Sequence, residues 1–105
     1  MAFERVAKAS EVPDGSGLRV RVGERELGIF RVGDDYYAID NACPHAGYPL
    51  SEGLLEGHTV ICTAHGWEFD VRTGLGAGAN FMTTPLGCYR IQREGEDLLI
   101  EVPER

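Results

Sequence analysis

A chain of 105 residues, 43% of them hydrophobic, has room for one domain with one modest core and not for two, and is too apolar to stay disordered. Its formal net charge of −7 repels nucleic-acid phosphates and leaves room for a protein partner with a basic docking face. Fourteen glycines and five prolines punctuate so short a chain often, favouring short strands and turns over long helices.

In chain order, Phe3 to Ala7 fits a first strand, closed by the turn material from Pro13 to Gly17. Leu18, Val20 and Val22 alternate with Arg19 and Arg21, the period-two signature of a half-buried strand. Gly23-Glu24 turns the chain into a strand from Glu26 to Val32. Gly33 to Asp35 turns it again into Tyr36–Ile39, which is rich in β-forming residues. This is an antiparallel meander that runs directly into Cys43. A loop with Pro49, Gly53 and Gly57 follows, then a short strand at Thr59–Ile61 feeding Cys62, and a strand at Trp67–Asp70. Residues 74–80 are too small and Gly-rich for a strand, and the loop continues through Phe81 to Pro85. Tyr89–Arg93 and Leu98–Val102 form a closing hairpin. The expectation is an all-β domain, an antiparallel sandwich or barrel of about nine or ten short strands.

The chemistry concentrates between residues 43 and 65. Cys43-Pro44-His45 and Cys62-Thr63-Ala64-His65 are two Cys–His pairs with sixteen residues between them. Two short loops that each offer one thiolate and one imidazole make a four-ligand site with two sulfur and two nitrogen donors. Such donors suit zinc and iron–sulfur clusters. A zinc site of the two-Cys, two-His type is the competing reading, but zinc fingers place Cys beside Cys and His beside His. Mixed pairs suit a cluster with two inequivalent irons, where each loop reaches both. Purified protein that is colourless and carries zinc without iron would decide for zinc.

With Cys43 and Cys62 as ligands, Cys88 is left alone. No structural disulfide is then possible, which fits a reducing compartment. Cys88 precedes an apolar strand and reads as a small buried hydrophobe. His58 sits in a Gly-bounded loop without ligand spacing and reads as a surface residue. The first ten residues include Glu4 and no apolar run, so no signal peptide is expected. No stretch is apolar and long enough to span a bilayer. The expected location is the cytoplasm.

The pattern C-x-H, sixteen residues, C-x-x-H, with Gly66, Phe69-Asp70 and Thr73-Gly74 behind it, resembles the Rieske ferredoxin family over nearly the whole chain. That resemblance implies an all-β fold in which two loops form a small cluster-binding subdomain, here about 41–86 within a single domain spanning 1–105. It implies one Rieske-type 2Fe–2S cluster, with Cys43 and Cys62 on the buried iron and His45 and His65 on the outer one. Respiratory Rieske proteins add a cysteine after each ligand pair; here Ala46-Gly47 and Thr63-Ala64 stand in those neighbourhoods. They also place Ser and Tyr hydroxyls near the second His, where this chain has Trp67 and Phe69. Without those donors the cluster sulfurs stay electron-rich, so the potential is expected nearer ~−150 than +300 mV. It should also fall as pH rises through the pKa values of the ligand imidazoles.

The resemblance is to the ferredoxins that serve bacterial oxygenases. It implies a one-electron carrier, not an enzyme, that docks briefly with a flavoprotein reductase and a terminal oxygenase. Acidic Glu52, Glu56 and Glu68 around the tip would steer that docking. Gly66, next to a ligand, reads as a turn residue or as an N–H donor to a bridging sulfide. Pro85 matches in position the family's cluster-covering proline loop, with Phe81 and Met82 as cluster shields. The alternative function is the small subunit of an assimilatory nitrite reductase-type enzyme.

Overall fold

The computed structural model describes residues 2–41, 49–63, 66–77 and 86–102. Among them are eleven strands and no α-helix. The first four are β1 (Ala2–Lys8), β2 (Gly17–Val22), β3 (Arg25–Val32) and β4 (Asp35–Asp40). The next four, β5 (Leu54–Glu56), β6 (Thr59–Ile61), β7 (Glu68–Asp70) and β8 (Gly76–Ala77), are no longer than three residues. The chain closes with β9 (Cys88–Tyr89), β10 (Ile91–Glu94) and β11 (Asp97–Val102).

These strands make three antiparallel sheets, ordered β1-β11-β10, β2-β3-β4-β9 and β5-β6-β7-β8. The meander forms as its alternation predicts, with Val20 opposite Leu27 and Ile29 opposite Ala38. Its two hairpin turns carry Gly23 and Gly33, both at φ +64°, the left-handed backbone such turns demand.

The second sheet is buried on both faces. Leu27 and Ile29 of β3 and Ala38 of β4 point into a core shared with Val20, Leu98 and Ile100. Their sequence neighbours Phe30 and Ile39 point the other way, into a second core with Leu50, Val60, Cys62, Phe69, Val71 and Leu86. This explains why β3 reads as almost continuously apolar rather than alternating. The short-stranded third sheet lies over that second core, presenting Val60 and Phe69 from its central strands.

Several elements depart from the sequence expectation. The loop after Pro49 contains a 3-10 turn, Leu50–Glu52, and then strand β5. Residues 76 and 77, expected to be too Gly-rich, form β8 by pairing with Phe69 and Glu68 at the sheet edge. An edge strand needs only extended backbone on one side, so side-chain propensity does not decide it. The stretch Tyr89–Arg93 is not one strand. β9 pairs with β4 and β10 with β11, and the chain changes sheet at Arg90. A further 3-10 turn, Ala9–Glu11, follows β1, where the Glu11 carboxylate accepts the Lys8 backbone N–H at 2.8 Å. Cys88 is exposed rather than buried.

Candidate metal centre

Of the four expected ligands, Cys62 lies among the described residues, and Cys43, His45 and His65 lie outside them, as do Phe81, Met82 and Pro85. Cys62 directly follows strand β6 and is 2% exposed, in no disulfide. Its N–H donates to the Trp67 carbonyl at 2.7 Å and its carbonyl accepts the Gly66 N–H at 2.7 Å. The loop that carries position 65 is therefore closed at its base by backbone bonds from Cys62 itself. Gly66 stands at φ +75°, so glycine is required there for the turn. Its N–H is spent on Cys62, which removes it as the expected donor to a sulfide.

The segment 42–48, which carries Cys43 and His45, leaves β4 at Asn41 and returns at Pro49. Asn41 accepts N–H bonds from the return arm, at its carbonyl from Leu50 (2.6 Å) and at its side chain from Ser51 (2.7 Å). The segment 78–85 is closed in the same manner. Leu86 N–H donates to the Gly74 carbonyl at 2.8 Å, and a Cβ on Gly74 would collide with the Leu86 carbonyl oxygen. Asp40 completes that closure: its carboxylate accepts Gly87 N–H and Tyr89 O–H, each at 2.7 Å. Burial, and then the bond to Asp40, pushes the Tyr89 hydroxyl pKa up, so it remains a donor.

Leu50, Cys62 and Leu86 therefore mark the bases of three loops, and all three side chains meet in the second core. One of the three loop segments holds the first Cys–His pair, and the hairpin loop after Cys62 holds position 65. Gly53 tightens the arrangement. A Cβ there would collide with the carbonyl oxygen of Ile61, the residue before Cys62. The return arm of the first loop thus rests directly on the strand that delivers the second pair.

A buried cysteine by itself is an ordinary small core residue. Its place at the foot of a hairpin loop, on a core shared with the foot of the first loop, fits the donor set of two thiolates and two imidazoles for an iron–sulfur cluster. The other sequence candidates resolve differently. Trp67 is half-buried, packs on the second core and tilts against Phe69 with ring centroids 6.4 Å apart. Phe69 is fully buried at the centre of the short sheet. His58 is half-buried rather than a plain surface residue, edge-on to Tyr37 at 5.6 Å.

Around the site the charges are mostly negative. Glu52 and Glu56 are exposed and Glu68 is half-buried, and no Lys or Arg occurs between Arg31 and Arg72. Arg72 is engaged by Asp70 through two side-chain bonds of 2.8 and 3.0 Å. That guanidinium holds the Asp70 carboxyl below its ordinary pKa, against an opposing push from burial. Cys88 turns its thiol onto the Arg72 carbonyl at 3.3 Å. Burial of the thiol and the nearby Asp70 charge push its pKa up, so it remains a thiol and an oxidation-sensing role has no support.

The residues that sequence reasoning passed over are Asp40, Asn41 and Tyr89. The visible signal was a polar pair at the end of an otherwise apolar strand, immediately ahead of a ligand.

Comparison with known proteins is consistent with this geometry. Residues 2–90 match the model of the Rieske 2Fe-2S domain. Ferredoxin CarAc of Metapseudomonas resinovorans is 42% identical over 94 residues, covering 88% of this chain and 87% of that protein. The ferredoxin component of biphenyl 2,3-dioxygenase from Rhodococcus jostii (strain RHA1) is 34% identical over 97% of this chain and 94% of its own length. A chain from the solved complex of reduced oxygenase and oxidized ferredoxin in carbazole 1,9a-dioxygenase superposes with a TM-score of 0.84 at 36% identity, covering 93% of this chain and 91% of that one. A protein assigned as the small subunit of an NADH-dependent nitrite reductase from Mycobacterium tuberculosis superposes as well, at a TM-score of 0.86 over 98% of this chain and 97% of that one. At 15% identity it shares the fold alone. Sequence and fold together place the chain in the Rieske 2Fe–2S family, whose cofactor is one Rieske-type 2Fe–2S cluster.

Proposed function

We propose that this protein is the ferredoxin of a multicomponent oxygenase system, a one-electron carrier between a flavoprotein reductase and a terminal oxygenase. The observation that carries the reading is the identity of 34–42% to ferredoxin components along nearly the whole of both chains. Those relatives are a ferredoxin and the ferredoxin component of a dioxygenase. The chain acts as a single domain, with its cluster-binding portion at about 41–86. Cys43, His45, Cys62 and His65 hold the cluster, supported by their spacing and by the buried position of Cys62.

When bound, the cluster supplies one reversible electron. The protein's residues do the rest. Cys62 and the core beneath it exclude water from the inner side. The outer face of the short sheet presents Leu54, 54% exposed, and Ile61 in the register row nearest the Cys62 loop, with Glu52, Glu56 and Glu68 close by in the chain. An apolar centre with an acidic rim suits brief docking of limited area against a basic partner face. The compartment proposed is the cytoplasm, supported by thiols at Cys62 and Cys88 that form no disulfide. Among the described residues no helix is long and apolar enough to cross a membrane.

The test is stopped-flow mixing of the reduced protein with a carbazole- or biphenyl-type terminal oxygenase. Transfer of one electron per cluster at a rate that falls with salt supports the reading. Fixed-stoichiometry purification with a sirohaem subunit, and no transfer to any oxygenase, would assign the chain to a nitrite reductase instead.

A further inference from the structure

Asn41 is the one polar side chain in the protein's buried set among the described residues, at 0% exposure. A buried amide is costly unless its hydrogen bonds are made, and here they are. Its backbone N–H donates to the Glu26 carbonyl at 3.1 Å, and its carbonyl accepts the Leu50 N–H at 2.6 Å. Its Oδ1 accepts the Ser51 N–H at 2.7 Å, and its Nδ2 donates to Glu26 Oε2 at 2.9 Å. The orientation of the amide is fixed by its partners, because the reverse would set an NH2 against the Ser51 N–H. From the scaffold side the amide is held by Gly28, where an added Cβ would lie 3.0 Å from Oδ1. Glu26 is in turn held by Arg19 at 3.7 Å and Arg21 at 4.0 Å.

Asn41's two acceptors, its backbone carbonyl and its Oδ1, bind the arm by which segment 42–48 returns to the fold. Leu50 then accepts the Gly53 N–H at 2.8 Å, and Gly53 rests on Ile61, the neighbour of Cys62. A continuous set of hydrogen bonds and close contacts therefore runs from β3 through Asn41 and the 3-10 turn to the second ligand loop. We infer that Asn41 is a positioning residue: it ties the described return arm, Leu50 and Ser51, to the end of β4, and so sets where the segment carrying Cys43 and His45 is anchored relative to Cys62 and how firmly the cluster is gripped. The inference rests on the assignment of Cys43 and His45 as ligands, and it gives a role to a residue outside the proposed ligand set.

The experiment compares wild type, Asn41→Ala, Glu26→Ala and Glu26→Gln as purified holoproteins, reading cluster bleaching under a chelator, the electron paramagnetic resonance spectrum after reduction, and global unfolding by circular dichroism. Both Glu26 variants lose the ion pairs to Arg19 and Arg21, but Gln keeps an oxygen for Asn41 Nδ2, so their difference isolates the hydrogen bond. Loss of the clamp should speed bleaching of Asn41→Ala by about tenfold or more, the usual cost of an outer partner of a metal site, and shift its g values. Glu26→Ala should bleach faster than Glu26→Gln at temperatures where the sheets remain folded. Should Asn41→Ala fail to fold, the Glu26 pair alone decides. Equal bleaching and identical spectra between Glu26→Ala and Glu26→Gln would overturn the inference, as would an Asn41→Ala protein that behaves as wild type. Wild type without iron and labile sulfide would instead overturn the functional reading beneath it.

Discussion

The central meander and the short sheet above it solve the same folding problem with very different means. Strands β2 to β4 run six to eight residues, pair in full register and bury both faces, and the charges of the two longer-stranded sheets are largely matched, as in Arg5–Asp97 and Arg93–Glu96. Strands β5 to β8 run two or three residues, bury one face, and leave Glu52 and Glu56 without an ion pair among the described residues. A sheet of such short strands is too small to stand alone. It borrows Phe30 and Ile39 from the back of the meander, and it carries Cys62, the proposed ligand buried at the foot of its hairpin loop. The contrast teaches that the scaffold is stable by its own packing, whereas the cluster end depends on the scaffold beneath it and the cluster within it.

The sharpest break between the two regions comes from removing a proposed ligand. Cys62→Ser is expected to abolish the cluster's visible absorption. In hydrogen exchange, amides of β5 to β7 should lose protection while those of β2 and β3 keep theirs. Uniform loss across both would show that the scaffold is not independent.

Core truncation separates the regions next. Phe69→Ala should cost about 3–5 kcal/mol and Ile29→Ala about 2–5 kcal/mol, yet with different consequences. In Phe69→Ala the cluster should be released at a lower temperature than the sheets unfold. In Ile29→Ala both events should move down together, followed by absorbance and far-ultraviolet circular dichroism in the same melt.

Charge gives a smaller effect. Glu56→Gln should slow association with an oxygenase by about two- to threefold at low salt and by nothing measurable at high salt. Glu4→Gln, on β1 far along the scaffold, should leave the rate unchanged at any salt.

The smallest effect concerns Asp70. Its carboxyl lies below the ordinary value because Arg72 bonds it, so its contribution to stability is complete above the unfolded aspartate pKa of about 3.9. That contribution is lost as pH falls through the lower folded value. Asp70→Asn should therefore melt lower than wild type at neutral pH and converge with it in acid. A gap that persists unchanged into acid would deny the ion pair its role.

Much of the architecture is legible in the residues. The alternation of Leu18, Val20 and Val22 and the glycines at 23 and 33 dictate the meander, and two Cys–His pairs carry the family motif from which the ligands are proposed. What escapes has physical causes. Strands β5 and β8 carry no pattern of their own, because edge pairing with β6 and β7 makes them. The break at Arg90 is set by which sheet each half pairs with, a tertiary choice. Cys88 lies exposed because β9 covers only Ile39 and Ala38 of β4, a boundary no local pattern records. The Asn41 clamp depends on Glu26, fifteen residues away, and only the folded hairpin brings the two together.

The central claim is that two imidazoles and two thiolates, from loops founded on one core, hold a 2Fe–2S cluster at this end of the molecule. Pulsed electron paramagnetic resonance of the reduced protein tests it most directly. Nitrogen couplings from two histidines on one iron are expected, one of them lost in His45→Cys and the other in His65→Cys. A paramagnetic cluster without nitrogen coupling, or a diamagnetic protein holding zinc, would contradict it.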